Sequence, residues 1–284
     1  MGLEIVPLGK ALGVEVLGLD PRAPVNDTNR EALVAAWREH LVLLFRGYAL
    51  SDTQLIAFSR VFGELDPPGT NPYGAPYLPE FPELNVISNV IEDGRPIGGL
   101  GAGEAVWHAD MTYQDRPPKA AVIHSIEVPE TGSNTYFANM VTAYEFLPSG
   151  LMEQIEGRVT IHDAAHNSTG ELRKGYRETT DIRDTPGARH PLVRTDPETG
   201  RKALFLGRRP HSFIIGFEVE ESEAILDSLW QHATQTRFVI AHEWRVADTL
   251  IWNNLCLLHR RDAFDNTARR IMHRAQIRGD KPIN

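Results

Sequence analysis

The chain has 284 residues, 42% of them hydrophobic and 24% charged, with a formal net charge of −9. That is the composition of an ordinary globular protein with enough apolar residues for a sizeable core, and the sign of the charge argues against a global nucleic-acid-binding role. A single cysteine, Cys256, rules out an intrachain disulfide and suits a reducing cytoplasm.

The first twenty residues carry acidic groups and lack a basic stretch followed by an apolar one, so no signal peptide is expected. No run approaches the ~20 apolar residues of a membrane span. Two short strands are predicted over 3–8 and 14–19. A helix over 28–40 follows, with Thr28 and Glu31 at capping-box spacing and Leu33, Ala36, Trp37 and His40 on one face. Residues 41–46 read as a buried strand. Ser51 and Gln54 repeat the capping-box spacing and open a second helix, with Leu55, Phe58 and Phe62 as its apolar face and Gly63 as its stop.

From residue 84 onward β signals dominate. Candidate strands cover 84–90, 120–128, 134–138, 159–162, 202–206, 212–215, 237–241, 249–252 and 270–277, separated by Gly, Pro and Asn. Residues 197–200 form a tight turn. One late helix runs from about 220 to 235, with Leu226, Leu229 and Trp230 as its core stripe. Many short strands with few helices predict a mainly β fold, a sandwich or jelly roll with flanking helices, built as one domain over 1–284. Two stretches lack periodicity, 67–82 and 166–190; each reads equally as a functional lid or as a solvated excursion.

Chemistry concentrates in two places. His108 and Asp110 lie two apart, a spacing that on a strand puts imidazole and carboxylate on one face. Alone the pair is weak, because chance supplies such pairs and a buried hydrogen-bonded pair is the bland alternative. Near the C-terminus His259 follows an apolar strand, with Arg270 eleven and Arg274 fifteen residues later. A distant histidine completing a His-x-Asp pair is the facial triad of non-haem iron(II) oxygenases, which leaves positions open for a 2-oxo acid and O2. An arginine suits the far carboxylate of that acid. Arg208, Arg209 and His211 could line an anion site or make a solvated turn, the turn being preferred. Dinucleotide, P-loop, zincin and nucleophile-elbow templates find no match.

These blocks resemble the taurine dioxygenase and 2,4-dichlorophenoxyacetate dioxygenase (TauD/TfdA) family. The likeness runs through 18–20, 43–47, 58–65, 107–113, 128–135, 259–274 and 279–282. It implies a double-stranded β-helix, a cupin-like jelly roll with iron near its mouth. It also implies an Fe(II)- and 2-oxoglutarate-dependent dioxygenase that couples decarboxylation of the 2-oxo acid to hydroxylation of a small substrate, a sulfonate, sulfate ester or aryloxyalkanoate, with cleavage where the hydroxylated carbon carries a heteroatom. By resemblance His108, Asp110 and His259 are iron ligands, Thr135 and Arg270 bind 2-oxoglutarate, and Arg274 reaches an anionic group of the substrate. Asn71 stands where several members place a substrate-contacting histidine. A homo-oligomer, dimer or tetramer, is implied as well. The usual Trp-Asp-Asn before the last histidine is Trp252-Asn253-Asn254 here, one charge fewer. An alternative within the enzyme class is an oxygenase acting on an amino-acid-like metabolite; outside it, a non-catalytic iron or 2-oxoglutarate sensor. Arg274 predicts an anionic substrate unless Asp262 or Asp265 neutralises it.

Overall fold

In the computed structural model, which describes residues 3–68 and 75–282, two sheets face each other. The larger has eight strands, in the order Glu4–Pro7, Val14–Leu17, Val42–Phe45, Thr249–Asn253, Ala120–Glu127, Ile271–Ile277, Asn85–Ser88 and Gly99–Leu100. The smaller has four: Val239–His242, Thr135–Asn139, Leu257–Arg261 and Ala105–His108. Neighbours in sequence are mostly not neighbours in a sheet, so the chain crosses repeatedly between the two layers, as in a jelly roll. No helix among the described residues is long and apolar enough to cross a membrane.

Period-two alternation divides the large sheet into two faces. Leu250, Trp252, Ile123, Met272 and Ile87 point between the sheets and meet Phe137 from the small sheet. Ile251, Val122, Ala275 and Ile277 point the other way, onto Leu33, Trp37, Leu55 and Phe58 of the two N-terminal helices. Each of these large side chains contributes roughly 1.5–3 kcal/mol by leaving water, and together they fix the sheet against a helical outer layer.

The helices form where predicted, with one change of cap. Ser51 and Gln54 make a reciprocal capping box at the helix Asp52–Ser59. The first helix, Asp27–His40, is capped instead by Asn26, whose side chain accepts the Asn29 N–H at 2.8 Å, so it starts one residue ahead of the predicted Thr28. The late helix spans Val219–Ala233. Residues 197–200 do make the turn between Val193–Thr195 and Lys202–Leu204, with Gly200 at φ 69°. Two helices, Met140–Glu145 and Ser149–Ile155, were not predicted; the first is capped by Asn139, the last residue of a strand.

Candidate metal centre and flanking cavities

The small sheet brings the two histidines together. His259 lies directly opposite His108 on the neighbouring antiparallel strand, and the ring centroids are 4.2 Å apart. Asp110 arrives differently from the strand argument. His108 is the last residue of its strand, and Asp110 sits in the turn beyond it, ahead of Met111 at φ 53°. That turn swings the carboxylate back under the rings: Asp110 Oδ1 is 3.6 Å from His108 Nε2 and 3.9 Å from His259 Nε2. The three donor atoms lie within 4.8 Å of one another.

Asn254, fully buried, holds the turn in place. Its Oδ1 accepts the Asp110 N–H at 2.7 Å, and its Nδ2 donates to the carbonyls of Asp110 and Pro118, both at 2.9 Å. His108 Nδ1 is 2.7 Å from the Val106 carbonyl, which can only accept. The proton therefore sits on Nδ1 and the Nε2 lone pair faces the site. Burial raises the Asp110 carboxyl, but Arg274 and then the two imidazoles outweigh it and hold the group well below the usual carboxylate range. Burial, then His108, pushes His259 down to about 3, so its ring is neutral. Two imidazole nitrogens and an ionised carboxylate are a donor set that fits Fe(II).

Behind the rings lies a narrow inner cavity, lined among others by His108, His259, Thr135, Trp244, Arg261 and Arg270. Thr135 stands opposite Arg261 across the strand pair. The Thr135 Oγ1 accepts the Trp244 indole N–H at 2.9 Å, leaving its own hydrogen free to donate. Arg270 is 2% exposed, and its Nε and Nη1 have no partner among the described residues. Burial, then Arg261, pushes its guanidinium down to about 9. Arg261 is pushed down to about 10 by burial; it donates to the Leu100 and Gly103 carbonyls, and its Nε is unpartnered. Two buried cations with no carboxylate against them among the described residues carry a desolvation cost that an anion would offset, as the distal carboxylate of 2-oxoglutarate would.

In front of the rings an outer cavity of about 550 Å³ opens to solvent. Both aperiodic stretches rim it, through Pro67, Pro68 and Tyr77 on one side and His166, Asn167, Ser168 and Arg173 on the other. Asn71 lies outside the described residues. Arg274 lines both cavities. Its Nη1 is 2.9 Å from Asp110 Oδ2, so its partner is neither predicted carboxylate. Asp262 binds Tyr136 and Arg260, and Asp265 caps Thr267.

Of the basic cluster, the turn reading holds for Arg209, which pairs with Glu223 and Asp227, and for His211, which is exposed. It fails for Arg208, which bridges to the His108 backbone and pairs with buried Asp163 inside the outer cavity. Asp163, His166 and His211 also place three donor atoms together. Asp163 is already taken by the Ala165 and His166 N–H groups, His166 Nδ1 and Arg208, and the adjacent guanidinium opposes a cation.

Arg261 and Trp244 were not singled out from the sequence, and Asn254 entered only as the last residue of the Trp252-Asn253-Asn254 block. The signal for Arg261 was present: two residues after His259 on one strand, it shares that residue's face. Nothing local marks Trp244.

A jelly roll carrying a two-histidine, one-carboxylate centre between a cationic inner cavity and an open outer one defines a class: the non-haem iron oxygenases that use a 2-oxo acid. The sequence model of the Taurine catabolism dioxygenase TauD, TfdA family matches residues 4–276. The chain is 34% identical over 290 residues to an alpha-ketoglutarate-dependent 2,4-dichlorophenoxyacetate dioxygenase of Cupriavidus pinatubonensis, covering all of both chains. It is 35% identical to an (S)-phenoxypropionate/alpha-ketoglutarate dioxygenase of Sphingobium herbicidovorans, over 98% of this chain and 95% of that one. Among solved structures it superposes on AAD-2, in complex with Mn(II) and N-oxalylglycine, with a TM-score of 0.80 at 30% identity, over 99% of each chain. The chain belongs to the TauD/TfdA family, and it is an Fe(II)- and 2-oxoglutarate-dependent dioxygenase.

Proposed function

We propose that the whole chain, 1–284, acts as one catalytic domain that hydroxylates a small organic anion of the aryloxyalkanoate, sulfate ester or sulfonate type. In this reading His108, Asp110 and His259 hold Fe(II), while Arg270 and Thr135 fix the distal carboxylate of 2-oxoglutarate. The observation that carries it is the adjacency of the convergent His-Asp-His donors to a cavity holding two buried, anion-free guanidinium groups. When bound, iron and 2-oxoglutarate supply the oxidising power, consuming O2 and releasing succinate and CO2 as a C–H bond becomes C–OH.

The chain's own residues do the rest. Val106 fixes the His108 tautomer, Asn254 sets the carboxylate, and Trp244 turns the Thr135 hydroxyl so that it can donate. The outer cavity presents Arg173, Arg208 and Arg274 to the incoming substrate, and the two named relatives act on carboxylates of matching chemistry. Hydroxylation of a carbon bearing an ether or ester oxygen gives a product that falls apart, cleaving the C–O bond.

The test is spectroscopic and catalytic. Anaerobic Fe(II) with 2-oxoglutarate should give a weak visible charge-transfer band that His108→Ala, Asp110→Ala and His259→Ala each abolish. Small sulfonates, sulfate esters and aryloxyalkanoates should stimulate 2-oxoglutarate consumption above neutral analogues. A normal band in any of the three variants would remove that residue from the iron site.

A further inference from the structure

Three guanidinium groups line the outer cavity, and they are not equivalent. Arg274 pairs with Asp110 through Nη1 alone, its Nε having no partner among the described residues, and Arg208 pairs with Asp163. Arg173 differs: among the described residues no carboxylate oxygen lies within ion-pair distance of it, and residues 69–74 contain no Asp or Glu. Its guanidinium carbon lies 3.9 Å from the centroid of the Tyr113 ring, itself part of the cavity wall. Stacking of this kind occupies a face of the planar group and leaves its N–H edge free for an acceptor.

The position of Arg173 is built, not incidental. After Asp163 the chain makes a small excursion and returns. Asn167 Oδ1 accepts the N–H groups of Thr169 at 3.0 Å and Glu171 at 2.9 Å, Gly170 takes φ 86°, and His166 bridges to Leu172. The Arg173 N–H then closes on the Ala165 carbonyl at 2.7 Å, two residues from Asp163. Burial pushes the Arg208 guanidinium down, and Arg173 adds to the effect, so the two cations share an environment served by one carboxylate. The nearby acids of the loop face elsewhere: Glu178 is 3.4 Å from His166 Nε2, and Glu171 holds Asn167.

From this placement we infer that Arg173 recognises the anionic group of the prime substrate, a carboxylate, sulfate or sulfonate, with the Tyr113 ring as its backing. Arg274, paired with Asp110 through Nη1, lines the same cavity. The inference rests on the reading of the substrate as a small organic anion, and it places an anchor on the loop that rims the cavity.

The experiment uses the Fe(II)-loaded enzyme with 2-oxoglutarate and three probes: 2,4-dichlorophenoxyacetate, hexyl sulfate and butanesulfonate. Each is run beside a neutral analogue: 2,4-dichlorophenoxyacetamide, hexyl methyl ether and butyl methyl sulfone. For the probe that best stimulates 2-oxoglutarate consumption, Arg173→Gln should raise KM about 10- to 100-fold, the loss of one charge-assisted contact, with a much smaller change in kcat. Arg173→Lys should recover part of it, and KM for the neutral analogue should stay within about twofold. The iron–2-oxoglutarate band of each variant serves as the folding and loading control. If KM for the best anionic probe is unchanged in Arg173→Gln, the assignment of Arg173 is wrong while the anionic reading stands. If the wild-type enzyme prefers the neutral analogues, the anionic reading falls and Arg173 with it. Equal losses for charged and neutral probes would make Arg173 a clamp on Tyr113 alone.

Discussion

Arg270→Met should have two opposite effects, a more stable ligand-free protein and a failure to bind the co-substrate. In the ligand-free protein burial, and then repulsion from Arg261, lowers the Arg270 guanidinium from its ordinary value to about 9. The charged form thus carries an unfavourable free energy of a few kcal/mol, on the order of 1.4 kcal/mol for each tenfold change in proton affinity. The sign follows from the direction: the folded value lies below the unfolded one, so the cost is fully present below about pH 9 and is relieved only as pH rises from there towards the ordinary guanidinium range. At pH 7 the penalty is whole. Methionine removes the charge while keeping apolar bulk. Replacing buried charge with well-packed apolar side chains is worth ~1–4 kcal/mol in favourable cases, several degrees in Tm for a chain of this size. N-oxalylglycine with Mn(II) is the probe, since this unreactive pair is bound in AAD-2. At a hundredfold excess over Kd it should stabilise the wild type by ~2.7 kcal/mol, and that shift should vanish in Arg270→Met. Differential scanning fluorimetry with and without the probe reads both effects. A variant that is less stable without ligand, yet keeps the full shift with it, would refute the reasoning and make Arg270 a structural residue.

Two further outcomes are expected. Asn254→Ala should lower Fe(II) affinity about 10- to 100-fold without removing a metal ligand, because three hydrogen bonds that fix the Asp110 turn are lost; an anaerobic iron titration reading unchanged affinity would contradict it. His124 is lowered from 6.5 to about 4 by burial and then by His273, and its ring meets the Leu50 N–H and the Thr249 hydroxyl. Stability held by the neutral ring is present above about pH 6.5 and is lost as pH falls towards 4, about 3 kcal/mol in all. Urea unfolding across that window should show a flatter pH dependence in His124→Gln, and equal slopes would remove His124 as the source.

The parts of the fold that were legible in the sequence are those governed by local patterns. Ser51 and Gln54 cap a helix because the capping box is a local hydrogen-bond exchange, and the buried strands through Val42–Phe45 and Ala120–Glu127 are apolar runs between turn residues. The strand Leu257–Arg261 was not predicted, although it carries His259. Its Leu257, Leu258 and Arg261 are all buried, so it shows neither alternation nor a polar edge. Arg208, Arg261, Arg270 and Arg274 have the side chains of surface residues and are buried at the site. No local rule predicts that, because what stabilises a buried guanidinium is a carboxylate or ligand distant in sequence. The His-x-Asp pair was legible as chemistry but not as geometry, since a turn held by Asn254, not a strand face, brings the carboxylate under the rings.

The charges around the iron site differ on its two sides, and the difference orders the ligands. The inner cavity holds Arg261 and Arg270, with no protein carboxylate against either among the described residues, so it favours an anion. In the outer cavity Arg208 and Arg274 each pair with an aspartate, while Arg173 has no carboxylate within ion-pair distance among the described residues. A dianionic 2-oxo acid gains most by placing its distal carboxylate inside, where desolvation has already been suffered by the protein and the Coulomb attraction is least screened. On the proposed reading, a monoanionic substrate would gain more modestly at the solvent-open rim, with its uncharged body reaching the histidines. The two compartments would then sort two acids by how deeply each one's charge can be buried, and the shared wall of His108 and Arg274 would keep both next to the metal donors.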